Sequence, residues 1–191
     1  MKRIVPILVL VLLLSSCAGA SNGLDSVVSA IAPPVRMVAV ITYGGFTSQA
    51  EICFYSPDSE IIMTTEFLQP EEIGGLLVER HSDMKLYASY DGLLSELSEE
   101  ALNVVTLTND ILQAVRDNLE TLGERVEPDD ERYAQAQIVL GSGTITVYYD
   151  EATGTILRIN SDMFASQLKI DIIETEKITA SNQNVSALTS G

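Results

Sequence analysis

The 191 residues carry 27 acidic and 11 basic side chains, a formal net charge of −16. A surface this negative repels the phosphates of nucleic acids and the headgroups of anionic lipids, so no nucleic-acid partner is expected. Two cysteines and one histidine leave little material for a metal site or a disulfide framework, and seven tyrosines without a tryptophan make a poor platform for stacking sugars.

The chain opens with Lys2 and Arg3, then an apolar run from Ile4 to Leu14 that ends three residues before Cys17. About 20 apolar residues are needed to cross a bilayer core, so the run is too short for a permanent span. A basic start, a short apolar stretch and small residues beyond it are the layout of a secretory signal. Leu14-Ser15-Ser16-Cys17 resembles a lipobox, the cleavage and acylation motif of bacterial lipoproteins. The resemblance implies a diacylglycerol thioether on the Cys17 sulfur and cleavage just before it, with residues 1–16 as signal. The alternative is an ordinary signal cut near Ser16 or Ala20, with Cys17 incidental. Losing Lys2 and Arg3 takes the basic count from 11 to 9 and the net charge from −16 to −18. The lipid must then anchor the protein to the membrane without a basic patch, each buried methylene contributing about 0.8 kcal/mol. No cofactor beyond that lipid is expected.

Residues 17–23 are small and polar, a tether. Leu24, Val27, Val28 and Ile31 recur at helical spacing and predict a short amphipathic helix stopped by Pro33 and Pro34. From Val35 the pattern turns to strands. Two β-rich runs flank Gly44-Gly45, a hairpin signature. In the second run Ala50, Ile52 and Phe54 share one face, opposite Glu51, Cys53 and Tyr55. Residues 60–68 form a further strand, 69–75 a turn or single helical turn, and 76–90 a second hairpin around Ser82-Asp83, with Met84, Leu86, Ala88 and Tyr90 on one side. Cys53 reads as a small buried hydrophobe, and His81, at a strand end, as an exposed residue without a role.

Residues 98–122 predict a long helix. Ala101, Val104, Val105, Thr108, Ile111, Leu112, Val115, Leu119 and Leu122 make one stripe. Ser98 suits the N-cap, Glu99 and Glu100 the positive end of the dipole, and Gly123 the stop. The acidic stretch 124–133 reads as a solvated loop; Glu127, Asp129, Asp130 and Glu131 lack the regular spacing and glycine turn of a calcium loop. About four strands follow, with turns at Gly141 to Gly143 and at 150–155, and residues 180–191 read as a disordered tail. Nearest-neighbour strands with short turns are antiparallel. The expectation is therefore an α+β domain over 24–179, an antiparallel sheet covered by one long amphipathic helix and a short N-terminal one.

No nucleophile elbow, phosphate-binding loop, CxxC or HExxH occurs, and Gly141-Ser142-Gly143 is flanked by strands on both sides, so it is a turn and not a phosphate cradle. A serine triad would have to use His81. An enzyme is not expected.

The lipobox, the leading helix, the strands around "YGGF", "EICFYSPDSEIIMTTEFLQPEEIGGL", "YASYDGLLSEL" and the closing "DEATGTILRI" and "LKIDIIE" together resemble the lipoprotein-localisation carrier fold of periplasmic lipoprotein carriers and receptors. They are especially similar to its variants in Gram-positive spore formers, which include a germination lipoprotein. That resemblance implies a sheet curved into an open half-barrel with helices in its concavity, on the extracytoplasmic face of a membrane. Two functions follow. The first is a non-catalytic docking or regulatory module for an envelope or cell-wall protein. The second is a carrier or sensor holding an acyl chain or another hydrophobic ligand between sheet and helix, with Val104, Ile111 and Val115 as the residues placed to line its pocket. An apolar tunnel of roughly 300 Å³ or more under the long helix separates the second from the first.

Overall fold

The computed structural model describes residues 24–97, 104–129, 132–163 and 167–178. The lipobox with Cys17, the tether, Ser98 to Ala101 and the tail from 180 lie outside them.

Helix α1 spans Asp25–Ile31. Leu24, Val27 and Ile31 are buried, as the spacing requires. Six strands follow, β1 (Val35–Tyr43), β2 (Phe46–Phe54), β3 (Ile61–Gln69), β4 (Leu77–His81), β5 (Leu86–Tyr90) and β6 (Leu93–Leu97), with a 3-10 turn at Glu71–Ile73 after β3. Helix α2 (Val104–Leu122) leads to β7 (Gly123–Val126), β8 (Ala134–Leu140), β9 (Gly143–Tyr149), β10 (Ile156–Ser161) and β11 (Leu168–Lys177). All eleven form one antiparallel sheet in the order β6-β5-β4-β3-β2-β1-β11-β10-β9-β8-β7. Two meanders are thus joined through the β1–β11 pair. Among the described residues the end strands β6 and β7 are not paired to each other, so the sheet is an open half-barrel, and α2 links these two strands along the chain.

The β1–β2 turn shows how local chemistry fixes register. Gly44 and Gly45 take positive φ values of 54° and 85°, which glycine accepts at no steric cost, and the two-residue turn sets Tyr43 opposite Phe46 and Val35 opposite Phe54. That register sends Val35, Met37, Ala39 and Ile41 inward beside Ala50, Ile52 and Phe54. The same inner face continues through Met63 and Phe67 of β3 and through Ile145, Val147, Ile159 and Ile170. Helix α2 adds Leu107, Ile111, Leu112, Val115 and Leu119 to this single core.

Several expectations need correction. Among the described residues six strands precede the helix and five follow it. Residues 93–97 are a strand, although every side chain but Leu97 is exposed and the period-2 signal is therefore missing. Gly123 does not close α2; it opens β7 and pairs with Ile138. Met84 sits in the β4–β5 turn with φ of 68°, so it belongs to no strand face. Leu122 is 48% exposed, having rotated off the stripe. In the acidic stretch residues 124–126 are strand and not loop, while 127–129 are exposed as expected, with Asp129 accepting hydrogen bonds from Gln135 Nε2 and from Tyr148 Oη.

Candidate functional site

The space between α2 and the sheet is the first place to look for a ligand chamber. Ile111 and Leu119 have no accessible surface, and Leu112 and Val115 only 2% each. A tunnel able to take an acyl chain leaves accessible area on the side chains that line it. These have none to speak of, so the second half of α2 meets the sheet in a filled core. Val104, at the start of the helix, is half-buried against the same core. Of the three residues placed to line a pocket, Ile111 and Val115 are thus buried in the core, and Val104 packs against its margin.

The flank of α2 that faces β2–β4 is polar, which the apolar stripe does not reveal. Thr106, Thr108, Asn109 and Gln113 are all buried. Thr65 Oγ1 donates to Asn109 Oδ1 at 3.5 Å. Arg80, 5% exposed, pairs with Asp110. Gln113 Nε2 donates to Asp117 at 2.6 Å, and the Arg116 guanidinium lies 5.8 Å from the centre of the Phe54 ring. Buried polar groups of this kind are tolerated only where partners satisfy them. Asn109 and Asp110 find theirs on strands 44 and 30 residues away in the chain, while Gln113 Oε1 and Arg116 Nη1 have none among the described residues. The helix is thus held on one side by apolar packing and on the other by a polar seam.

The described side chains show little equipment for catalysis. Cys53 is 8% exposed, and burial, reinforced by the nearby Glu51 carboxylate, pushes its thiol pKa up, away from the reactive thiolate. His81 is half-buried rather than free at the strand end. Its Nε2 lies 3.4 Å from Glu79 Oε2 and its ring 4.6 Å from that of Tyr87. No serine or second carboxylate completes a triad with it in the contacts the structure gives. Among the described residues no group of three or more histidine, cysteine or acidic side chains is placed to hold a metal, and no helix is long and apolar enough to cross a membrane.

Two surfaces stand out instead. One is the wing formed by β5 and β6. Tyr90 is 46% exposed, Leu93 78% and Leu94 67%, and Met84 stands out from the adjoining turn. Among the described residues β6 pairs only with β5, so its outer backbone edge is open. Leu93 lies opposite Tyr90 and Leu94 opposite Ser89, so the wing presents apolar side chains on both faces beside that edge. The other is a groove of about 1020 Å³ on the outer face of the sheet, lined among others by Thr42, Gln137, Thr146, Asn160 and Lys169. Next to it Tyr148 is buried, and that burial, with the Asp129 carboxylate at its hydroxyl, raises its pKa.

No protein-family model matches the chain, and no curated protein is significantly similar to it in sequence. Solved structures are similar in fold. An uncharacterized conserved protein from Thermus thermophilus is 12% identical, with a TM-score of 0.51, over 87% of this chain and 92% of that one. MucB in the Pseudomonas aeruginosa MucA/MucB complex is 16% identical, with a TM-score of 0.48, over 87% of this chain and 60% of that one. A LolA superfamily protein from Nitrosomonas europaea is 8% identical, with a TM-score of 0.45, over 86% and 96%. At these identities the likeness is one of fold and carries nothing about ligand or partner.

Proposed function

We propose that the chain is a lipoprotein anchored through Cys17 on the extracytoplasmic face of a membrane, and that it acts as a non-catalytic docking module for an envelope protein. The observation that favours docking over carriage is the filled contact between α2 and the sheet, with Ile111 and Leu119 fully buried. A carrier needs its inner surface for cargo; here that surface is used by the core. The apolar residues left over are on the β5–β6 wing, beside an open strand edge. Such an edge accepts an extended segment of another chain, main-chain hydrogen bonds giving affinity and flanking side chains giving selectivity. With a chain charge of −16, a basic segment is the one steered toward it. The narrower likeness to the lipoproteins of spore formers rests on the sequence resemblance.

Two measurements test this reading. Cys17→Ser should abolish incorporation of a clickable fatty acid in cells and leave the signal uncleaved; equal labelling of wild type and variant would remove the anchor. The full chain, purified from envelope extract, should retain a protein partner that the double variant Leu93→Asp/Leu94→Asp loses without a change in melting temperature. A stoichiometric co-purified lipid in place of that partner would sink the docking reading and favour a carrier.

A further inference from the structure

The groove on the outer face goes beyond the docking reading and does not rest on it. Outward side chains of an exposed sheet are ordinarily solvated. Here Thr42, Lys169, Asn160, Thr146 and Gln137 are all half-buried. They form one row: Thr42 is opposite Lys169, Lys169 opposite Asn160, Asn160 opposite Thr146, and Thr146 opposite Gln137. The row thus crosses β1, β11, β10, β9 and β8 in order, each strand supplying one residue from the face turned away from the core. The Gly44-Gly45 hairpin, with Asp162 and Gln167, stands at one margin of the groove that this row lines. The resulting space, about 1020 Å³, is at the upper end of the roughly 300–1,000 Å³ typical of small-molecule sites.

The chemistry of the lining selects the ligand. Hydroxyls (Thr42, Thr146, and Thr144 at the rim) and amides (Gln137, Asn160) each both donate and accept. Of the lining charges, Lys169 Nζ is 2.7 Å from Asp171, and Asp162 Oδ1 accepts from the Thr144 amide at 2.6 Å. The groove therefore nets to no charge in a chain whose total is −16. Asn160 Nδ2 reaches Tyr148 Oη at 3.4 Å, while its Oδ1 is a buried acceptor with no partner among the described residues. An added peptide strand finds no purchase here, because β1 and β8–β11 each have strands on both sides and their backbone groups are committed to the ladder. Leu168 is buried and Tyr43 is the one aromatic in the lining, so neither a lipid nor a stacking mode is provided for. We propose that this groove binds a neutral, polyhydroxylated chain, a glycan, through a ladder of side-chain hydroxyls and amides.

Helix α1 ends at the other end of the sheet, where Lys177 Nζ donates to the carbonyls of Ser29 and Ala32, and where the Ile178 amide donates to the Pro34 carbonyl. The length of β1, nine residues, puts the Gly44-Gly45 end roughly 27 Å away at 3.2–3.4 Å per residue. The groove thus lies at the opposite end of β1 from the residues that close α1.

The test uses the full chain in a detergent with no sugar headgroup. Chitotetraose, cellotetraose and maltotetraose are titrated calorimetrically, and isolated peptidoglycan is assayed by co-sedimentation. At least one should bind saturably, and Thr146→Ala/Asn160→Ala should weaken it roughly tenfold or more, as expected for lost ligand hydrogen bonds, with the melting temperature held. Should that variant unfold, Thr42→Ala/Gln137→Ala, at the two ends of the row, replaces it with the same expected loss. No binding of any of the four up to millimolar sugar or saturating peptidoglycan, or binding that both pairs of substitutions leave unchanged, would overturn the proposal. A drop in binding confined to Leu93→Asp/Leu94→Asp would do so as well, since that places the sugar on the wing.

Discussion

Replacing Val115 by phenylalanine asks whether the contact between α2 and the sheet is full. Val115 is 2% exposed, with Ile111 and Leu119 at 0% one turn to either side and Leu112 at 2%. The added ring volume has no space to enter. Overpacking of a filled core forces neighbouring side chains off their rotamers and costs about 1–3 kcal/mol. For a domain of this size each kcal/mol lowers the melting temperature by roughly 2–4 °C, so a fall of roughly 2–12 °C is expected. Thermal melts of the wild type and variant read this directly, and an environment-sensitive acyl probe titrated against both supplies the second axis. In a carrier the ring would occupy space reserved for cargo. The melting temperature would then hold or rise, and saturable probe binding would disappear. That pair of results would refute the argument that the core is filled.

Ile111→Asp places an unpaired charge in the same core and should cost several kcal/mol or unfold the domain, whereas Thr121→Asp, at an exposed position, should melt close to wild type; equal melts would mean that α2 is oriented otherwise. Asp110→Ala leaves the Arg80 guanidinium buried without its carboxylate and should cost about 1–3 kcal/mol, less than a wholly buried pair because Asp110 is 41% exposed. Arg80→Met/Asp110→Leu should recover most of that loss in urea unfolding, and a double variant as unstable as Asp110→Ala would show that the seam is not a charge pair. Burial acts to raise the pKa of Asp171, but hydrogen bonds from Lys169 and Arg158 outweigh it and hold the carboxyl below its ordinary value. A depressed pKa adds stability above the unfolded value, roughly 3.9, and that increment is lost as pH falls through the folded value. Asp171→Asn should therefore flatten the acid limb of a stability–pH profile, and an unchanged limb would remove the linkage.

The parts of the fold that sequence pattern reveals are those where one side chain's fate follows from its neighbours along the chain. Leu24, Val27 and Ile31 are buried because a helix puts them on one side, and Ala50, Ile52 and Phe54 because a strand does. Gly44-Gly45 announces its turn by the φ values it must adopt. β6 is invisible because alternation records burial on one face, and Leu93 to Glu96 are exposed on both. β7 escapes notice because a glycine after a helix more often ends it than starts a strand. The polar seam is illegible for a different reason. A threonine, asparagine or glutamine on a helix reads as solvent-facing until a partner is known, and Thr65 and Arg80 arrive from distant strands. The outer groove is less legible still, because its row exists only through the register of five strands.

The division between the two faces of the sheet decides which surfaces remain for recognition. The inner face runs almost without interruption from Val78 on β4 to Ile138 on β8 as buried apolar side chains, and α2 covers it with apolar residues on one flank and polar ones, tied to Thr65 and Arg80, on the other. A face so committed cannot also hold cargo without giving up the contacts that keep the helix in place, and one or two kcal/mol is already a large share of a domain's net stability. On the proposed docking reading, recognition falls to surfaces whose loss the fold would not feel. The β5–β6 wing is one, since Leu93 and Leu94 contribute little to the core. The outer row from Thr42 to Gln137 is another, since its side chains point away from the core that Ile41, Ile170, Ile159, Val147 and Ile138 build beneath them. The two surfaces differ in chemistry, apolar with an open backbone edge against polar with a closed one, and so they suit different partners and can be removed separately by substitution.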